Sequence, residues 1–229
     1  MKKFLLKIID RFFPRMWYRR VSFSQDGEDL VLDSFYEGRK NYKGFYIDVG
    51  AHNPFRFSNT AFFYKRGWSG INIEPTPSLI GNFHKFRKRD INLNIAIADN
   101  NSSLTFFMFD EAALNSFNAE ISEHRHKTTP YKIVDKITIK TYKLSEVLDK
   151  NLKEGQKIDF LTIDAEGLDF KILQSNNWKK YVPHFILIEQ DFDVRTIHQD
   201  DIYVFLNGLN YELVGRTMRT SVYRFKSLP

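Results

Sequence analysis

The chain has 229 residues, of which 42% are hydrophobic and 27% charged; its mean hydropathy is -0.42 and it has no cysteine. That is a globular composition with room for one compact core and an appendage, and the missing thiols exclude a disulfide framework, a thiolate metal site and any cysteine nucleophile. The formal charge of +6 is carried by residues 1–20, where seven basic side chains accompany the single acid Asp10, so the body is formally neutral and lacks the basic surface that a nucleic-acid partner requires.

On a helical projection of the N-terminal arm, Leu5, Ile8, Ile9, Phe12, Phe13 and Met16 share one face and Lys3, Lys7, Arg11 and Arg15 the other. Pro14 interrupts this helix and an aromatic, basic run follows it, Met16 to Arg20. Lys7 breaks the apolar run well short of the ~20 residues needed to cross a bilayer, and no cleavage site of small residues marks a signal peptide. Two readings stand: peripheral contact with the inner face of the membrane by a cytoplasmic protein, or a helix docked on the protein's own core.

Beyond the arm (residues 1–21), residues 22–229 read as one α/β domain. Apolar, β-rich runs at 45–49, 70–74, 92–98, 158–164, 184–189, 211–214 and 222–225 predict seven strands, and segments at 58–66, 77–89, 144–152, 168–174 and 201–209 predict helices between them. The pattern is a mostly parallel sheet with an antiparallel last strand. After the third strand lies an insertion, residues 99–143, with strand-like runs at 104–109 and 133–140 around a polar stretch containing His124 and His126. That stretch reads as a solvated loop, or as a lid over an acidic acceptor.

The end of the first strand, Asp48 Val49 Gly50 Ala51 His52, stands where doubly wound folds bind a ligand. A dinucleotide would require glycines at 52 and 55, which are His52 and Phe55, so a phosphate-free nucleoside such as S-adenosylmethionine fits better. Asp48 would then attract its ammonium group, Gly50 would turn the chain, the amides of Ala51 and His52 would receive its carboxylate, and Glu74, ending the second strand, would accept the ribose hydroxyls.

Together Ser24 to Asp29, Asp48 to His52, Ser58 Asn59 Thr60, Gly70 to Pro75, Asn94 to Asp99, Leu114 Asn115 Ser116 and Asp164 Ala165 Glu166 Gly167 resemble the FkbM-type S-adenosylmethionine-dependent methyltransferases over residues 22–190. The resemblance implies a class I methyltransferase (Rossmann-like) fold and adds Gln25, Ala96 and Asp99 to the cofactor residues. It also implies O-methylation of a hydroxyl on a sugar or surface glycan, free or lipid-linked. Pro54 departs from the family, many members of which have a second glycine there.

A sugar hydroxyl is a poor nucleophile, so the site must supply a base or a metal. Asp164, Glu166 and Glu189 follow predicted strands and converge on the same crevice. Either one of these carboxylates or His52 is the general base, or Asp164, Glu166 and Glu189 hold a hard divalent cation. Asn115 and Ser116 would hydrogen-bond the sugar. His84, Lys85, Arg87, Lys88 and Arg89 read as a solvated basic face. The alternatives are a methyltransferase of nucleic acid or of another small molecule, and a non-catalytic membrane-anchored scaffold.

Overall fold

The computed structural model describes residues 20–39, 41–191 and 193–226, and the helix expected in residues 1–19 lies outside the described residues. The main sheet has seven strands in the order β3-β2-β1-β7-β8-β10-β9: β1 (Phe45–Val49), β2 (Ser69–Ile73), β3 (Ile91–Leu93), β7 (Phe160–Ile163), β8 (Phe185–Glu189), β9 (Tyr211–Arg216) and β10 (Thr220–Phe225). All neighbours are parallel except β10, which runs antiparallel to both β8 and β9.

Both faces of the sheet are covered, which is why its strands read as near-continuous apolar runs. Strand alternation sends Ile47 and Val49 of β1 to one face, where they meet α5 (Leu144–Asn151), α6 (Asp169–Gln174) and α7 (Asp201–Gly208). Tyr46 goes to the other face, in a core with Leu32 of α1 (Glu28–Ser34) and Phe63 of α2 (Ala61–Lys65). The helix α3 (Pro77–Phe86) packs Ile80 and Phe83 on Ala51, just past β1. Chain order reverses between β1 and β7, so the carboxyl ends of these strands open a crevice at the switch point.

The strand expected at 92–98 is two strands. Asn94 donates to the carbonyl oxygens of Glu74 and Pro75 at 2.8 and 3.0 Å, and the chain bends there. Beyond the bend β4 (Ala96–Ile97) joins a second sheet, β4-β6-β5, with β5 (Ser103–Phe109) and β6 (Ile133–Tyr142). Between β5 and β6 the polar stretch is a helix, α4 (Ala119–Thr128), capped by Asn118, whose Oδ1 accepts from Ile121 N at 3.0 Å. Its inward face, Ser122, Arg125, His126 and Thr129, has helical spacing but no apolar residue, so hydrophobic periodicity could not reveal it. The short helix α1 was likewise not expected.

Candidate active site

The insertion and the loops after β1, β2, β7 and β8 enclose a cavity of about 380 Å³, within the ~300–1,000 Å³ range of small-molecule sites. Gln25, Gly50, His52, Glu74, Ala96, Asn115, Asp164, Glu166 and Glu189 all line it. Asp48, Ala51, Asp99 and Ser116 do not.

One wall is built around Glu74. Its Oε2 accepts from the His52 amide at 2.8 Å and its Oε1 from the Thr76 amide at 2.7 Å, so the carboxylate is held rigidly with a lone pair left on each oxygen. Burial raises its pKa, and the Thr76 and His52 bonds oppose the rise. Gly50, at φ 82°, lets the ends of β1 and β7 touch: a Cβ there would stand 1.8 Å from the Asp164 carbonyl oxygen. Only glycine meets both demands. His52 also adopts a left-handed conformation, φ 52°. Its ring stacks on Phe57, and its buried Nε2 has no hydrogen-bond partner among the described residues. Burial, and then Arg56, lower its pKa and favour the neutral imidazole.

Four expectations are corrected here. The Asp48 side chain shares the Tyr46 face of β1, away from the cavity, and its Oδ2 accepts from Thr60 Oγ1 at 2.8 Å; burial pushes its pKa up to about 6 against the Thr60 bond and the nearby Arg87 charge. It is a buried scaffold acid, placed there by strand alternation. The amides of Ala51 and His52 are already bonded, Ala51 N to the Ile73 carbonyl oxygen at 3.1 Å and His52 N to Glu74, and the Ala51 side chain packs on Ile80 and Phe83; Asp99 stands on an exposed bend after β4. Arg87 is no part of a solvated face: α3 ends at Phe86 and the guanidinium turns inward with no solvent exposure. It donates to Asp90, Tyr46, Thr60 and the Pro54 carbonyl at 2.8 to 3.0 Å.

The opposite wall is acidic. Asp164 and Glu166 follow β7 and Glu189 ends β8; each offers an oxygen, all within 4.8 Å of one another. Asp164 is exposed to solvent where it lines the cavity, while protein atoms crowd the rest of its surroundings. That crowding, and then the charges of Glu189, Asp169 and Glu166, drive its pKa well above the ordinary carboxyl range. Glu189 is pushed up to about 7, by burial and then by Glu166 and Asp169. Among the described residues Glu166 is the member of the three held in an ion pair: Arg125 Nη1 of α4 lies 2.9 Å from its Oε2, while Arg219 acts on Glu189 only through its charge.

Ser116, expected to touch substrate, instead donates to the Glu166 carbonyl oxygen at 2.8 Å. This fixes Glu166 at φ 49° in a turn continued by Gly167 at φ 101°. Asn115 is buried in the cavity wall; its Oδ1 accepts from Phe109 N and its Nδ2 reaches Thr76 Oγ1, which leaves one amide hydrogen for a ligand. His126 Nδ1 accepts from Ile133 N, tying α4 to β6.

Gln25 overhangs the mouth on a loop gathered by Asp29, which accepts from Ser22, Phe23 N and Ser24 at 2.6 to 3.0 Å. That loop is bolted to the turn between β9 and β10 by Thr217 Oγ1 to Glu28 at 2.7 Å and by Arg219 to Asp26 at 2.9 Å. Sequence reasoning missed the pocket-facing Arg125 and the buried Arg87, because neither lies in a local motif that sets it apart from surface arginines.

No curated protein matches the chain. The family model described as Methyltransferase FkbM domain matches residues 48–213. Among solved structures, methyltransferase FkbM from Methylobacillus flagellatus KT superposes with a TM-score of 0.50 at 13% identity, over 89% of this chain and 48% of that one. The chain therefore spans about half the length of that protein, and the likeness is one of fold.

Proposed function

Because the chain belongs to the FkbM methyltransferase family, a family that uses S-adenosylmethionine generally, we propose that it O-methylates a hydroxyl of a sugar or surface glycan. The observation that carries this reading is the meeting of Asp164, Glu166 and Glu189 within 4.8 Å, in the same cavity as the amide-fixed Glu74. The cavity suits a nucleoside cofactor in volume, and it presents a rigid carboxylate and the unpartnered His52 Nε2. When bound, S-adenosylmethionine supplies an electrophilic methyl group on a positively charged sulfur.

Glu74 would hold the ribose hydroxyls, with Ala96, Ile95 and Ile97 as the apolar wall beside it. On the acidic side Asp164 or Glu189 takes the proton that the acceptor hydroxyl loses as its oxygen bonds the methyl carbon. A carboxyl with a raised pKa is a better base for this step than an ordinary carboxylate. Glu166, Asn115 and His52 orient the acceptor.

A second reading has Asp164, Glu166 and Glu189 hold a hard divalent cation that acidifies the hydroxyl, and their mutual spacing favours it. A nucleic-acid acceptor is disfavoured, because an acidic cavity on a neutral body repels phosphate. Among the described residues no helix is long and apolar enough to cross a membrane; peripheral contact through residues 1–20 would bring the enzyme to a lipid-linked acceptor. Mass spectrometry of surface glycans from cells with and without the gene tests the function. A methyl group lost from one sugar is expected, and identical glycans together with failure of the protein to bind S-adenosylmethionine would refute it.

A further inference from the structure

Three carboxylates share the acidic wall, and the insertion grips one of them at both ends: Ser116 Oγ holds the Glu166 carbonyl at 2.8 Å and Arg125 holds its carboxylate at 2.9 Å. The anchoring is itself well built. Ser116 Oγ also accepts from Asn118 N, the cap of α4, at 3.0 Å, and the Arg125 guanidinium reaches back to the Leu114 carbonyl oxygen at 3.5 Å. Ser122 and Arg125 are three residues apart on the inward face of α4, and Ser122 is fully buried, so the helix cannot turn Arg125 outward without exposing that face. Glu166 is meanwhile in a left-handed conformation that a non-glycine residue keeps only when its surroundings impose it.

We propose that Arg125 is a positioning residue that acts as the built-in counter-cation of this cluster. It fixes Glu166 toward the cavity and occupies, with a tethered charge, the electrostatic role of a divalent ion. The inference rests on the methyl-transfer reading and deepens it: proton removal from the acceptor then falls to Asp164 and Glu189 without a metal. A guanidinium 2.9 Å from one member of the cluster lowers the cluster's attraction for a second cation. Removing that charge while keeping a polar side chain at the position should therefore create affinity for a metal that the natural protein lacks. A merely structural arginine would yield no such gain.

The test is a titration of the full chain with Mn²⁺ alone, followed by calorimetry and by the paramagnetic signal of the free ion. The natural protein should bind Mn²⁺ weakly or not at all. Arg125→Gln should bind at least tenfold more tightly, Arg125→Lys should stay closed like the natural protein, and adding Glu189→Gln to Arg125→Gln should abolish the gained site. Stoichiometric Mn²⁺ binding by the natural protein as tight as by Arg125→Gln overturns the proposal, and so does absence of binding in Arg125→Gln that circular dichroism shows to be folded. If Arg125→Gln does not fold, the natural protein against Arg125→Lys decides: tight Mn²⁺ binding by either overturns the proposal, and closure of both supports it. Sinefungin titrated into the same samples reports on the cofactor reading separately. Its failure to bind beside the expected Mn²⁺ pattern would overturn that reading and leave the role of Arg125 standing.

Discussion

Arg87 Nη1 donates to the carbonyl oxygen of Pro54 at 3.0 Å, so a guanidinium with no exposure to solvent anchors the loop that carries His52 into the cavity. The same guanidinium balances Asp90 and lies near Asp48. Breaking a buried pair from one side costs about 3–5 kcal/mol. Arg87→Met should lose roughly that much stability in urea denaturation and weaken cofactor binding through the loop. A loss under about 1 kcal/mol would mean that the network is no better than a surface ion pair.

Glu74→Gln replaces a carboxylate that faces two backbone N–H groups with an amide whose NH₂ must point at one of them. It would also remove the charge from the bonds proposed between Glu74 and the ribose hydroxyls, each worth about 1.5–3 kcal/mol. Calorimetry with S-adenosylmethionine should show affinity falling by at least about tenfold. Unchanged affinity would place the ribose elsewhere in the cavity.

The acidic wall makes two pH predictions. With Glu189 pushed up to about 7 and Asp164 raised well above the ordinary carboxyl range, the rate of methyl transfer at saturating cofactor should rise with pH through neutrality, because the base must first lose its proton. Stability runs the other way. A carboxyl whose pKa is higher folded than unfolded favours the folded state while protonated, and that contribution fades as pH climbs from about 4.5 towards 7. Glu189→Gln should therefore gain stability over the natural protein at pH 8 relative to pH 5. Equal differences in melting temperature at the two pH values would contradict the assignment.

Removing residues 1–20 takes away seven basic side chains, each worth about 1 kcal/mol at an anionic surface. The shortened protein should still bind S-adenosylmethionine and should no longer sediment with anionic vesicles at low salt. Unfolding on truncation would assign the arm to the core instead.

The sheet was legible because its strands are apolar on both faces and end at acids and glycines; the runs around Phe45, Ile71, Leu161 and Ile186 are strands within a residue or two of their expected limits. What escaped is governed by side-chain direction and by polar contacts. Asp48 stands beside Gly50 in sequence, but the two-residue period of a strand turns its carboxylate to the far face. Glu74, at the end of β2, does line the cavity. Arg87 and Arg125 sit among other basic residues in the chain, and only the fold distinguishes the one that is buried and the one that faces Glu166 from those in water. The bend at Asn94 is set by a side chain reaching back to residues 74 and 75, a pairing that a local window cannot hold.

The bolts from Thr217 to Glu28 and from Arg219 to Asp26 join residues 189 and 193 positions apart. During synthesis, then, the segment bearing Gln25 leaves the ribosome among the first of the described residues, while its fasteners and the strand that pairs along Glu189 emerge among the last. The Gln25 rim and the Glu189 edge of the acidic wall are therefore complete only once the β9–β10 hairpin has been made and has paired with β8, and such contacts of high sequence separation carry the larger loop-closure cost.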